Sequence, residues 1–135
     1  MAKVLSITAL RKMYGDNVAV DGVSFDVDCG EIVGLLGPNG AGKTTTINMA
    51  LGVLEPDGGS INIDGLDLAA FRSQAIGRTN FAAVYTPLPG NLTVAQNLRI
   101  FGMLYGVKNI RERIGELLKY FELENFRDKK CRLRT

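Results

Sequence analysis

Histidine is absent from the 135 residues of this chain. Histidine is the side chain whose ordinary pKa lies closest to neutral pH, and it is a frequent metal ligand. Its absence excludes a histidine catalytic base, a histidine-ligated metal ion and a histidine pH sensor within this sequence. Any chemistry in this chain therefore uses other groups.

Cysteine and long apolar runs are also scarce. Cys29 and Cys131 lack metal-site spacing and are too few for a disulfide framework, which favours a reducing, cytosolic setting with incidental thiols. The apolar stretch Val4–Leu10 is too short for a signal peptide. Prolines and asparagines interrupt the longest uncharged run, Thr79–Leu98, so no transmembrane helix is predicted. A membrane process would need another polypeptide to cross the bilayer.

The net charge of the chain is small. Sixteen basic and fourteen acidic residues give a net charge of +2, which does not indicate nucleic-acid binding. A hydrophobic share of 46% and a charged share of 22% are typical of one soluble globular domain and exclude a disordered or low-complexity chain. The basic tail is interpreted as a solvated face, with anionic lipid or nucleic acid as the alternative. Its cations are Arg127, Lys129, Lys130, Arg132 and Arg134.

Glycine, by contrast, is abundant, with 16 residues, and eight of these lie between Gly30 and Gly59. Within this region, residues Gly37–Thr44 read GPNGAGKT and fit the phosphate-loop pattern G-x-x-x-x-G-K-[ST] without mismatch. The nearly continuous apolar segment Glu31–Leu36 predicts a strand buried on both faces before the loop. The stretch Lys43–Leu51 predicts a helix after it.

The residue types in this loop suit a triphosphate. Gly37, Gly40 and Gly42 allow the tight curl that brings successive backbone N–H groups onto phosphate oxygens. The N-terminus of the following helix adds unpaired N–H groups and the positive end of its dipole. We expect Lys43 to reach the β- and γ-phosphates and Thr44 to ligate Mg²⁺. Thr45 could donate a hydrogen bond to the α-phosphate. The alternative, a glycine-rich turn with a solvated lysine, explains neither the motif nor its context.

The remaining periodicity predicts strands before and after the loop and helices at the end. Strands are expected at Val4–Leu10, at the alternating positions Val23–Val27, at Ile61–Ile63 and at the apolar segment Phe81–Tyr85. Asp64-Gly65 is typical of a hairpin turn, so Asp64 is interpreted as a turn residue and not as a Walker B aspartate.

The last third of the chain has helical spacing. Thr93 with Gln96 forms a capping-box signature before a helix that we expect to end at Gly106. A second amphipathic helix is predicted over Ile110–Phe121.

The motifs together resemble the ATP-binding subunit of an ABC transporter. GPNGAGKTTT, with LRKMYG before it and LTVAQNL and LYG after it, carries the resemblance along nearly the whole chain. The resemblance implies an α/β fold, a P-loop NTPase core with an N-terminal antiparallel β subdomain and a helical subdomain, truncated before the signature motif. Residues 1–135 would be the N-terminal part of one ABC-type ATP-binding domain. The β subdomain and phosphate loop would span about residues 1–90, and the helical subdomain about 91–135.

The same resemblance implies ATP and Mg²⁺ as cofactors and assigns the site. Tyr14 would stack on adenine, whereas the alternative is an aromatic that covers the edge of the core. Thr44 would be the metal ligand, and no catalytic residue is expected within this chain. The implied ATP-binding residues are Tyr14, Gly37, Pro38, Asn39, Gly40, Ala41, Gly42, Lys43, Thr44 and Thr45.

The implied function is to energise transport of an unknown substrate through a separate membrane permease. The helical part, Thr93–Phe121, would contact the permease, and a second ATP-binding domain would complete a dimer in the full-length protein. The location would be cytoplasmic and peripheral, on the inner face of the cell membrane. The alternatives are a truncated, non-catalytic ATP-binding module and a soluble ATPase acting on nucleic acid, which the weak charge disfavours. A GTPase is excluded because D-x-x-G and N-K-x-D do not follow the loop.

The sequence departs from the family pattern in two places. Tyr85-Thr86-Pro87-Leu88 stands where a Q-loop glutamine is usual, and its Tyr-x-Pro is similar to a subset of exporter-type ATPases that place an acidic residue next. The signature, the Walker B aspartate, the catalytic glutamate and the switch histidine would all follow Thr135. We therefore expect exposed strand edges beside Ile32–Leu36, poor solubility and no efficient hydrolysis by these residues alone.

Overall fold

A computed structural model describes residues 2–82 and 88–132. The chain divides into two compact units, Met1–Phe81 and Ala82–Thr135. Within the described residues, no helix combines the length and the apolar character needed to cross a bilayer.

The first unit is built on a four-stranded antiparallel sheet. Its strands are β1 (Lys3–Tyr14), β2 (Asn17–Asp28), β3 (Gly58–Ile63) and β4 (Leu66–Asp67), arranged in the order β2-β1-β3-β4. The predicted strands at Val4–Leu10, Val23–Val27 and Ile61–Ile63 are confirmed, and the first two extend further than their apolar patterns. Both strands are longer because backbone hydrogen bonds between β1 and β2 continue beyond the residues that alternate between apolar and polar.

Two helices pack on this sheet and close the core. They are α1 (Lys43–Ala50) and α2 (Arg72–Ile76). Leu10 of β1 and Met49 of α1 are both completely buried and belong to one core cluster, and α1 packs on β1 and β2. The buried core residues are Ile7, Leu10, Val20, Met49, Ile61, Ile63, Leu68 and Ala75.

Asp64 lies in the turn between β3 and β4. Asp64 has φ +48° and Gly65 has φ +75°, and Ile63 pairs directly with Leu66 across the turn. Two successive positive φ values are typical of the two-residue type I′ hairpin turn. The interpretation of Asp64 as a hairpin residue is therefore confirmed.

The segment before the phosphate loop is not a strand, and the prediction of a buried strand at Glu31–Leu36 is wrong. Its backbone is irregular, and the side chains of Ile32 and Leu36 are 98% and 92% exposed. The physical reason is that a central strand needs hydrogen-bonded neighbours on both sides. No hydrogen bond joins the backbone of residues 32–36 to any other described part of the chain.

The second unit contains two helices, α3 (Val94–Leu104) and α4 (Ile110–Tyr120), followed by a short 3₁₀ turn (Glu124–Phe126). The capping box is confirmed, because the Gln96 amide donates to Thr93 Oγ1 at 3.2 Å and the Thr93 amide donates to Gln96 Oε1 at 2.8 Å. Gly106 follows α3 with φ +61°. The last three residues of the predicted strand Phe81–Tyr85, and Thr86 and Pro87 after it, lie outside the described residues.

The exposed segment Glu31–Leu36 predicts self-association of the isolated chain. An apolar, β-prone segment without strand partners is a site for intermolecular pairing. We expect Ile32→Lys to lower the fraction of associated chains without lowering the free energy of unfolding, because the side chain is almost fully exposed. Sedimentation velocity over a range of chain concentrations measures this.

The matched control is Met103→Lys, which places the same charge at an exposed apolar position on a helix. Equal reduction of association by both substitutions would show that net charge, and not the segment, controls association.

Candidate functional site

The glycine-rich loop runs directly into the N-terminus of α1. Gly42 is the N-cap residue, and no side chain caps this end of the helix. The Thr46 amide and the Thr46 hydroxyl both donate to the Gly42 carbonyl, at 2.8 Å and 3.0 Å. The amides of Lys43, Thr44 and Thr45 have no acceptor inside the helix, because they belong to its first turn. These three N–H groups are thus available to an anion.

Gly42 lets the loop lie against β2. Its φ is +79°, and a Cβ atom built there would come within 2.3 Å of the Ala19 carbonyl oxygen and 3.0 Å of the Val20 side chain. Any other residue would be strained twice, by the left-handed backbone and by the clash. The start of α1 is therefore held against β2 by a contact that only glycine permits.

The side chain of Lys43 folds back over the loop. Its Nζ atom donates to the Gly37 carbonyl and to the Pro38 carbonyl, each at 2.7 Å. The Ala41 amide also donates to the Pro38 carbonyl, at 3.2 Å, and closes a turn within the loop. Residues 37–41 are all exposed. The result is an open, curled loop with one ammonium group beside the helix N-terminus.

Tyr14 lies at the end of β1, where the chain turns into β2. It pairs with Asn17 across the turn, and its side chain is 52% exposed. Asn17 lies two residues before Ala19 on β2, which is about 7 Å along the strand. Ala19 is the residue whose carbonyl oxygen lies against Gly42. Tyr14 is therefore at the same end of the first unit as the phosphate loop, with much of its ring accessible.

A carboxylate stabilises the strand end that carries Tyr14. Asp57 accepts a hydrogen bond from Lys12 Nζ at 2.8 Å and one from the Met13 amide at 2.7 Å. Lys12 Nζ also donates to the Glu55 carbonyl at 2.7 Å. The bonds from Lys12 and from the Met13 amide hold the pKa of the Asp57 carboxyl below its ordinary value.

The groups around the start of α1 fit a nucleotide that binds together with its own metal ion. Thr44 is exposed in the first turn of α1, and that turn has no acidic residue. Among the described residues, no group of three or more His, Cys, Asp or Glu side chains could hold a metal ion. One hydroxyl ligand beside N–H donors and an ammonium group suits Mg²⁺ that arrives bound to phosphates.

The structure thus places Gly37–Thr45 together around the start of α1 and sets Tyr14 at the same end of the unit. It also shows supports that the motif alone did not identify, namely the buried Thr46 and the Ala19 carbonyl. Of these two supports, Thr46 could have been identified from the sequence, because it is the third threonine of the run Thr44–Thr46. Of the segment in the Q-loop position, Tyr85–Pro87 lies outside the described residues, and Leu88 is exposed.

Comparison with known proteins gives consistent matches. The family model described as ABC transporter matches residues 20–135. Nod factor export ATP-binding protein I of Ralstonia nicotianae is 42% identical over 127 residues, which cover 93% of this chain and 40% of that protein. The probable multidrug ABC transporter ATP-binding protein YbhF of Escherichia coli is 42% identical over 124 residues, which cover 90% of this chain and 22% of that protein.

Solved structures agree with these matches. The ATP-binding subunit of an ABC transporter has a TM-score of 0.82 at 33% identity, over 94% of this chain and 54% of its own length. A nucleotide-free ATP-binding cassette from an ABC transporter has a TM-score of 0.74 at 27% identity, over 98% and 59%. The predicted α/β fold with an antiparallel β subdomain and helices is confirmed. The chain spans less than two thirds of each of these proteins.

The Gly42 contact predicts that Gly42→Ala lowers the free energy of unfolding more than Gly30→Ala does. Both glycines have φ +79°, but a Cβ at Gly30 would meet no atom within 4 Å. We expect Gly30→Ala to cost roughly 1–2 kcal/mol from the backbone alone. Gly42→Ala should cost about 1–3 kcal/mol more from the clash. Urea unfolding of both variants measures the difference, and equal losses would contradict the contact.

The Asp57 hydrogen bonds predict a pH-dependent stability. The pKa of the Asp57 carboxyl is lower in the folded chain than in the unfolded chain. As the pH falls, this carboxyl is therefore protonated in the unfolded chain before it is protonated in the folded chain. Its stabilisation is complete above the ordinary pKa of about 3.9 and is lost as the pH falls through the lowered folded pKa. Asp57→Asn should therefore reduce the free energy of unfolding at neutral pH, with a difference from the unsubstituted chain that shrinks below about pH 4.

Chemical unfolding at several pH values measures this difference. The control is Asp16→Asn in the nearby hairpin turn, which removes one negative charge but none of the hydrogen bonds of Asp57 and should change the free energy of unfolding less. A pH-independent effect of Asp57→Asn would contradict the role of the ionised carboxyl.

Proposed function

The chain belongs to the ABC transporter family, and we propose that it binds MgATP at the phosphate loop as part of a transporter's ATP-binding domain. The observation that carries this proposal is the uncapped N-terminus of α1 with the Lys43 ammonium beside it. Positive charge and free N–H donors converge there, and no carboxylate of the first turn competes for them.

Phosphate binding would change the hydrogen-bond partners of Lys43. Lys43 Nζ, now bonded to the Gly37 and Pro38 carbonyls, would turn its hydrogen bonds to the β- and γ-phosphate oxygens. The amides of Lys43, Thr44 and Thr45 would donate to the same phosphates. The bound Mg²⁺ would neutralise phosphate charge, and the Thr44 hydroxyl would be its protein ligand.

Tyr14 supplies the binding surface for the base. A half-exposed phenol ring at the strand end offers a flat face for adenine. The hydrogen bonds of Asp57 to Lys12 and to the Met13 amide keep this strand end in one conformation. Purine stacking would add affinity without strong selection between bases, since every purine has a π-face.

The transporter role follows from the family and from the relatives' names. We propose that ATP binding energises transport through a separate membrane permease, with the chain on the cytoplasmic side and peripheral to the membrane. The helical unit from Thr93 to Phe121 would contact the permease. A second ATP-binding domain would complete the nucleotide site of the whole protein. One matched relative is named for export of Nod factor and another for multidrug transport, while the substrate of this chain is open.

ATP hydrolysis is proposed for the whole ATP-binding domain and not for these 135 residues alone. No histidine is present, and the Q-loop position holds no glutamine. Without a group that orients the attacking water, a phosphate loop binds ATP but accelerates its hydrolysis little. The same observation favours the second candidate, a non-catalytic ATP-binding module.

ATP binding predicts a ligand-dependent rise in stability. With MgATP at a thousandfold excess over Kd, the free energy of unfolding should rise by about 4 kcal/mol. Lys43→Ala should abolish most of this rise, because it removes the ammonium beside the phosphates. Thermal unfolding with and without MgATP measures the effect.

The control is Lys108→Ala, which removes an exposed lysine from the second unit. It should keep the full MgATP response. A folded chain without any MgATP response would refute the proposed function.

A further inference from the structure

The C-terminal end of α1 is closed by a compact turn. Gly52 has φ +67°, and the amides of Val53 and Leu54 both donate to the Asn48 carbonyl, at 2.9 Å and 3.1 Å. The last turn of α1 contains no basic residue. The helix itself therefore supplies no cation to the negative end of its dipole.

Arg72 supplies that cation from α2. Its Nη2 atom donates to the Gly52 carbonyl at 2.6 Å. A Cβ atom on Gly52 would come within 2.8 Å of the Ile76 side chain and 3.6 Å of Arg72 Nε. Helix α2 thus lies directly against the chain that leaves α1, and the positive φ of Gly52 favours glycine at this position.

Arg72 directs its charge to a backbone carbonyl. Within residues 2–82 and 88–132, Arg11, Arg78 and Arg113 each form a salt bridge with a carboxylate, whereas Arg72 forms none. Its guanidinium is directed to a backbone carbonyl just past the helix end. A cation near the C-terminus of a helix stabilises the negative end of its dipole.

We propose that Arg72 is a positioning residue for the nucleotide site and acts through α1. The inference rests on the proposed binding of MgATP at the other end of this helix. Helix α1 has eight residues and is about 12 Å long. Gly42 holds its start against β2, and Arg72 holds its end against α2, so the axis of α1 has two fixed points. Loss of the second point lets the helix tilt or fray and moves the first-turn amides away from the phosphates.

The test compares the Kd for MgATP of Arg72→Met with that of Arg78→Met, at a temperature at which both chains are folded. Arg78 lies in the same unit and is paired with Asp64 at 3.6 Å, so it is a matched control. We expect Arg72→Met to raise Kd about two- to fivefold, the range that a charge at a helix end contributes. Arg78→Met should leave Kd unchanged, and Arg72→Lys should recover part of the affinity.

Amide hydrogen exchange separates positioning from general stability. In the unsubstituted chain, MgATP should slow exchange of the Val53 and Leu54 amides, because the helix responds as one body. In Arg72→Met this slowing should be lost, although the amides of β1 remain protected. A purely structural role would lower the unfolding temperature but leave the Kd of the folded chain unchanged.

An Arg72→Met chain with unchanged Kd and unchanged slowing at Val53 and Leu54 would overturn the inference while ATP binding stands. Failure of the unsubstituted chain to bind MgATP would overturn the proposed function itself. If Arg72→Met does not fold, Arg72→Lys decides the matter, since its shorter reach to Gly52 should still raise Kd above that of the unsubstituted chain.

Discussion

Helix α1 can present its first amides to a phosphate only because Gly42 lets the loop pass close to the Ala19 carbonyl of β2. The curl of the loop and the direction of the helix depend on this contact. At the other end, Gly52 lies against the Ile76 side chain of α2. Between these glycines, Met49 is completely buried on the sheet and Thr46 returns a hydrogen bond to Gly42. Helix α1 therefore contacts β2 at its start, the sheet along one face, and α2 through Gly52 just past its end.

The first unit does not need the segment before the loop for its core. Its apolar contacts come from two antiparallel hairpins, β1–β2 and β3–β4, together with α1 and α2. Within residues 2–82 and 88–132, Glu31–Leu36 makes no sheet hydrogen bond, and the side chains of Ile32 and Leu36 are exposed. The loop thus keeps its shape through the contact of Gly42 with β2 and through the hydrogen bonds that Lys43 and Thr46 donate to its carbonyls.

Much of the fold was predictable, because many of its elements depend on near neighbours in the chain. The capping box joins Thr93 to Gln96 across three residues, and Asp64-Gly65 forms its turn within one hairpin. The phosphate loop follows the same logic, since Lys43 bonds to carbonyls five and six residues before it. The prediction for Glu31–Leu36 was wrong because an apolar run indicates only that a segment is suited to burial. A buried strand also needs hydrogen-bonded neighbouring strands, and the composition of the segment does not show whether they are present.

The sequence by itself determined the type of site: a glycine-rich loop, one lysine and a threonine at the start of a helix, in the order that phosphates require. Only the tertiary structure decided what holds that site in place. The contacts of Gly42 with Ala19, of Asp57 with Met13 and of Arg72 with Gly52 join residues that are 20 or more positions apart. Such contacts leave no periodic signal, because they depend on where the chain returns in space and not on what stands beside each residue.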